Sequence, residues 1–284
     1  MNIPQTDVQD NRHSAVTVRR PGATPAAVVA VLLLLIASPH TPADCTCEPE
    51  PSWVIGANDI CCLTEDCTVE SLTILSGGKL YTGSHTITIT SPHGLTIYRG
   101  GRLIVDGGEG VEGPGAVVLS AGGWTFLYGQ IDLAVSKATL RVAGGRHAFF
   151  GKGKIVGNHD RARIEIRGGI TFTSLVQIEG ALELRAGDGT FVNNGRVEAN
   201  RASRDDNRLT LYSGTFTGHG VYSVTTAGAT LQCEPYIAAD QLATDFVIDA
   251  GAFNVNENVI TTGDLTFTGG TLSVAPGKTF QAGR

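Results

Sequence analysis

An all-β solenoid, a single-stranded right-handed parallel β-helix of about ten coils, is predicted by three observations. A phrase reads Leu-Thr-Ile-Leu-Ser-Gly-Gly-Lys-Leu at 72–80 and Leu-Thr-Ile-Tyr-Arg-Gly-Gly-Arg-Leu at 95–103. Degraded copies start at Val117, Leu140, Ile164, Leu182, Leu209, Phe246 and Leu265, at steps of 18 to 37 residues. Glycine is abundant, 37 of 284 residues, about twice the usual share.

Within the phrase, apolar residues alternate with polar ones, so each copy is a strand with one buried face. The phrase returns in the same direction, which favours parallel stacking over hairpins, whose turns are short and whose strands are complementary. Shorter strands fit between the copies at 86–89, 131–133 and 196–199. The step of 37 is long enough to hide an irregular turn near Leu231, and residues 237–243 are the one candidate for a short helix or loop.

The amino end reads differently. Arg19 and Arg20 precede an apolar run at 26–37 between Pro25 and Pro39. Twelve residues are too few to span a bilayer, which needs about 20. Basic lead, short apolar core and small residues afterwards describe a secretory signal peptide over 1–43, cleaved after Ala43. Cys45, Cys47, Cys61, Cys62 and Cys67 then crowd into a segment, 44–67, expected to form a cysteine-rich cap, with Trp53, Val54 and Ile55 against the first coil of a solenoid over 68–284. The sixth cysteine is Cys233. Their spacing lacks paired two-residue gaps and no histidine lies in the segment, so disulfides are expected rather than zinc. Six cysteines allow fifteen pairings.

The formal charge is −6, with no basic stripe, which argues against nucleic acid as the partner. Outward positions on neighbouring copies collect Arg141, Arg163, Glu165, Arg167, Glu183 and Arg185, with Tyr212 nearby. Such a face suits a polysaccharide, with carboxylates for hydrolysis or a basic residue for elimination. It equally suits a soluble exposed sheet whose opposite charges pair across rungs, which is the reading adopted. Residues 107–112, Gly-Gly-Glu-Gly-Val-Glu, resemble one copy of a calcium-binding nonapeptide that works only in arrays, and read as a loop. The histidines show no metal-ligand spacing, and no nucleotide fingerprint or catalytic triad order occurs. No catalytic residue, metal or cofactor is expected.

The repeated phrase, with Gly-Thr-Phe-Val-Asn-Asn-Gly-Arg-Val-Glu-Ala at 189–199 and Gly-Thr-Phe-Thr-Gly-His-Gly at 214–220, resembles coils of bacterial secreted β-solenoids. The comparison is with autotransporter passenger domains and filamentous-haemagglutinin-type adhesins, and it covers residues 68–284. It departs from a complete autotransporter in showing no carboxyl-terminal membrane barrel. The resemblance implies a secreted or cell-surface protein of structural or adhesive role, with a polysaccharide or a cell surface as partner. Polysaccharide lyases, hydrolases and carbohydrate-binding modules share the fold, so an enzyme or a binding module is the alternative. Open strand edges add end-to-end self-association.

Overall fold

The computed structural model describes residues 43–45, 52–107, 114–168 and 171–283. Within them the chain forms a parallel β-solenoid of about nine turns, with no helix. The segment up to residue 42, expected to be a signal peptide, Cys47, and residues 108–113, expected to form a loop, lie outside the described residues.

Each coil contributes a strand to three faces. Face 1 stacks Ser52–Ile55, Ser71–Ile74, Leu95–Ile97, Gly123–Leu127 and His147–Phe150, then Thr171–Ser174. Face 2 stacks Ile60–Leu63, Lys79–Tyr81, Arg102–Val105 and Gln130–Leu133, then the start of Lys154–Ile166. Face 3 stacks Cys67–Val69, Thr86–Ile89, Ala116–Leu119 and Thr139–Val142, then the end of Lys154–Ile166. Farther along, Gln177–Asn193, Arg208–Gly218 and Thr230–Leu242 turn a corner without a break.

The alternation therefore does what its period requires. Leu72, Ile74, Leu140, Val142, Ile164, Ile166, Leu182, Leu184, Leu209 and Leu211 all enter one continuous core. The glycine pairs at the corner from face 1 to face 2 divide two tasks. The first member, Gly77 or Gly100, has φ of 79° or 81°, a region that side chains disfavour. The second occupies a column where successive coils nearly touch: a Cβ on Gly129 would lie 2.2 Å from the Gly101 carbonyl oxygen.

Three expectations need correction. Residues 237–243 are not helical: up to Leu242 they belong to the strand Thr230–Leu242, with Ile237, Ala239 and Leu242 buried in the core. The cysteine segment is not set apart as a cap, because Ser52–Ile55, Ile60–Leu63 and Cys67–Val69 already pair in the solenoid register. Cys233 is not a disulfide partner. It is a buried free thiol between Leu211 and Val255 on the adjoining rungs, and burial pushes its pKa up. It stands seven rungs from Cys67 along face 3, roughly 34 Å at ~4.8 Å per rung, whereas a disulfide needs Cα atoms within about 7 Å.

A buried histidine adds an ionisable group to face 1. His147 is buried on face 1, with Nε2 3.0 Å from the Thr125 hydroxyl and Nδ1 3.3 Å from the Ala121 carbonyl oxygen. A carbonyl only accepts, so Nδ1 carries the proton and the Thr125 hydroxyl donates to Nε2. Burial holds the His147 pKa below its ordinary 6.5, against a smaller opposing effect of the Ala121 carbonyl. The folded protein therefore binds fewer protons here than the unfolded chain once the pH drops below 6.5, and stability falls from there downward. Melting temperature measured from pH 7 to pH 5 should decline in the wild type, and this component of the slope should vanish in His147→Leu.

Candidate functional site

Arg141, Arg163, Glu165, Arg167, Glu183, Arg185 and Tyr212 do converge, on face 3 of the central coils. Their partners differ from those the aligned phrases suggest. Ile164 stands beside Leu184 rather than Leu182, so Glu165 faces Arg185 and Arg163 faces Glu183. This two-residue shift keeps every apolar residue inward, because two is the side-chain period, while changing each cross-rung charge pair.

The carboxylates are held by cations. Glu165 accepts from Arg141 Nε on the preceding rung at 2.9 Å and from Arg167, just past the end of its own strand, at 2.9 Å. Glu183 accepts from Arg185 at 2.7 Å. The Arg185 guanidinium also lies over the Tyr212 ring, 4.2 Å from its centroid, a cation–π contact that fixes both. Arg163 Nε is buried without a hydrogen-bond partner. Burial opposes ionisation of Glu165, yet the hydrogen bonds and charges of Arg167 and Arg141 outweigh it and hold the pKa below 4.5. A carboxyl so held is ionised at neutral pH and cannot donate the proton that glycoside cleavage requires of its acid.

Beside this face a cleft of about 440 Å³ opens toward Glu183 and Tyr212. Its wall includes His159, Asp160, Arg161, Asp205 and Arg208, with Arg208 Nε donating to Asp160 at 3.0 Å and Arg201 to Asn158 at 2.7 Å beside it. Among the described residues, no three His, Cys, Asp or Glu side chains gather as a metal site.

Two further arrays were not singled out in the sequence. Face 2 carries a polar ladder. Arg102 donates to the buried Asp132 at 2.7 Å, Lys154 to Glu179 at 2.5 Å, and Gln177 bridges Glu179 and Glu198 at 2.7 and 3.2 Å. Glu179 and Glu198 are rung neighbours, and Arg196, Thr225 and Asn200 supply further donors. Face 1 carries exposed aromatic rings at Trp124, Phe126 and Tyr128, beside Tyr98. The alternation Trp-Thr-Phe-Leu-Tyr was the available signal: with Thr125 and Leu127 inward, all three rings must point out.

Comparison of the chain with protein-family models, with curated proteins and with solved structures finds no match.

Proposed function

We propose that this chain is a non-catalytic β-solenoid with a structural or adhesive role outside the cell. The observation that carries the reading is the engagement of the outer carboxylates: Glu165, Glu179, Glu183 and Glu198 each accept from a cation on their own or the next strand. Acid–base cleavage needs a protonated acid and a second carboxylate poised at the bond, and these groups are engaged by cations within a strand or across rungs. Export rests on the basic and apolar segment at 19–37. Disulfides in the first coil follow from export; Cys61 and Cys67 both point into its core, and Cys45 lies on the strand that pairs with Ile60–Leu63. The phrase shared with bacterial autotransporter passengers and filamentous-haemagglutinin-type adhesins supports the adhesive side.

The test is a panel of neutral and acidic polysaccharides incubated with wild type, Glu165→Gln and Glu183→Gln, read for product. No cleavage by any of the three is expected. Each substitution should change stability by no more than about 1 kcal/mol, because the pairs are open to solvent on their arginine side. Glu165 adds stability above pH 4.5 that is lost as pH falls through its depressed pKa. Product formed by wild type and lost in either folded variant would replace this reading with an enzymatic one.

A second reading, a carbohydrate-binding module, is favoured by the cleft beside Tyr212, whose ring is backed by Arg185.

A further inference from the structure

We propose that face 1 of the third to fifth coils is a docking strip for an extended polysaccharide bearing carboxylate groups. Trp124 and Phe126 on one strand and Tyr128 just past its end are 44%, 37% and 47% exposed, and Tyr98 on the preceding coil is 48% exposed. Outward residues two apart lie about 7 Å from one another along a strand, so the rings form a continuous tape. The tape widens across rungs: Phe126 pairs with Phe150, ring centroids 6.5 Å apart, and Tyr128 follows the Leu127–Ile97 pair beside Tyr98. The amino end of the tape is set by the backbone. Trp124 N donates to the Pro92 carbonyl at 2.9 Å, and the Trp124 indole stacks on His93, centroids 4.2 Å apart.

Nothing in this solenoid's folding requires exposed rings here, since the core behind them is already closed by Leu95, Ile97, Leu127 and Phe149. Charge identifies the occupant. The stretches 93–105, 121–131 and 144–156 that build this part of the face contain no Asp or Glu, in a chain of net charge −6, but hold Arg99, Arg102, Arg146, Lys152 and Lys154. Arg102 and Lys154 are paired across face 2; Arg99, Arg146 and Lys152 are exposed and have no carboxylate partner among the described residues. Past Tyr128 the tape runs into a shallow cleft of about 280 Å³, floored by Gly101, Gly129 and Gly153 and edged by Arg102, Lys152 and Lys154. The same close coil contact that demands glycine at that corner leaves backbone and cations open there.

Aromatic rings meet the flat apolar faces of sugar rings, and spaced cations meet carboxylates distributed one per sugar. A nucleic acid presents a phosphate every ~3.4 Å along each strand, a density that three unpaired cations on a net-negative protein do not match. The proposal rests on the adhesive side of the function given above.

The experiment is affinity electrophoresis of the full chain in gels containing polygalacturonate, the same backbone with its carboxyls methyl-esterified, or single-stranded DNA, with sedimentation run in parallel. Retardation by polygalacturonate is expected, weaker in the esterified gel and at higher salt. It should fall about tenfold in Trp124→Ala or Tyr128→Ala, and less in Lys152→Gln. Melting temperatures of these surface variants should match wild type, separating lost binding from lost fold. Equal retardation in the esterified gel, retardation by DNA alone, no retardation, retention by the ring variants, or a self-association that Trp124→Ala abolishes would each overturn the proposal. Absence of retardation with no sugar released leaves the spacer side of the functional reading standing, whereas sugar release would count against that reading itself.

Discussion

Phe246→Ala should be among the most damaging single truncations in the molecule, lowering stability by about 3–5 kcal/mol. Phe246 is 1% exposed, and its ring lies 5.5 Å from Tyr222, 5.2 Å from Phe253 and 5.3 Å from Phe280. Tyr222, Phe253 and Phe280 come from three different strands, so one deletion loosens three faces at once. Ile166 is a smaller core side chain in an earlier coil, and Ile166→Ala should cost about 2–5 kcal/mol, the range for Leu, Ile or Met cut to Ala. Chemical denaturation of both variants gives the comparison. Tyr222→Phe supplies a control of opposite sign: its hydroxyl is buried without a hydrogen-bond partner and burial raises its pKa. Removing that hydroxyl should leave stability unchanged or raise it by about 1 kcal/mol. A loss in Tyr222→Phe would mean that the hydroxyl is satisfied in solution.

Gly129→Ala should be comparably severe although it adds only a methyl group. The new Cβ would meet the Gly101 carbonyl oxygen at 2.2 Å, the Tyr98 carbonyl oxygen at 2.5 Å and the Ile97 Cγ2 at 2.7 Å. Two of these are backbone atoms of the coil below, fixed by the ladders on both sides of the corner, and no rotamer change relieves them. Relief requires the coils to part at that corner, which breaks the bonds from Gly129 N and Gln130 N to the preceding coil, 3.0 Å each. A loss of about 3–5 kcal/mol, or failure to fold, is expected, at the upper end of single substitutions. Gly168→Ala separates sterics from conformation: φ there is 75° but nothing lies within 4 Å of the added atom, so only about 1–2 kcal/mol of left-handed strain applies. If both substitutions proved equally mild, the column would owe its glycines to the turn alone.

Much of the fold was legible because the physical rule behind it is local. Alternation with period 2 placed Leu72, Ile97, Leu140 and Phe246 inward whatever they pack against, and the structure buries all four. The glycine pair announced a corner, because few other residues accept the turn and the close approach together.

Which face each copy occupies was not local. The starts at Leu72 and Leu95 lie on face 1, those at Val117, Leu140, Ile164, Leu182 and Leu209 on face 3, and those at Phe246 and Leu265 on face 2. All three strands of a coil share one pattern, an inward-facing pair before a bend, so the alignment slid from face to face without breaking its own rule. The outward residues of the aligned copies, from Thr73 to Thr266, therefore fall in three separate columns.

The charged residues illustrate the same division. Alternation sent Glu165 and Arg185 outward, but only the packed coils set the two-residue shift that puts them on neighbouring positions and leaves Glu165 bound by Arg141. The aromatic tape was written in order along 124–128, yet its width came from Tyr98 and Phe150, distant in sequence. By itself the sequence determined strand, face and corner, since those depend on a residue and its immediate neighbours. Tertiary structure decided which rungs meet, because stacking energy depends on how whole coils fit and tolerates any slip that keeps apolar side chains inside.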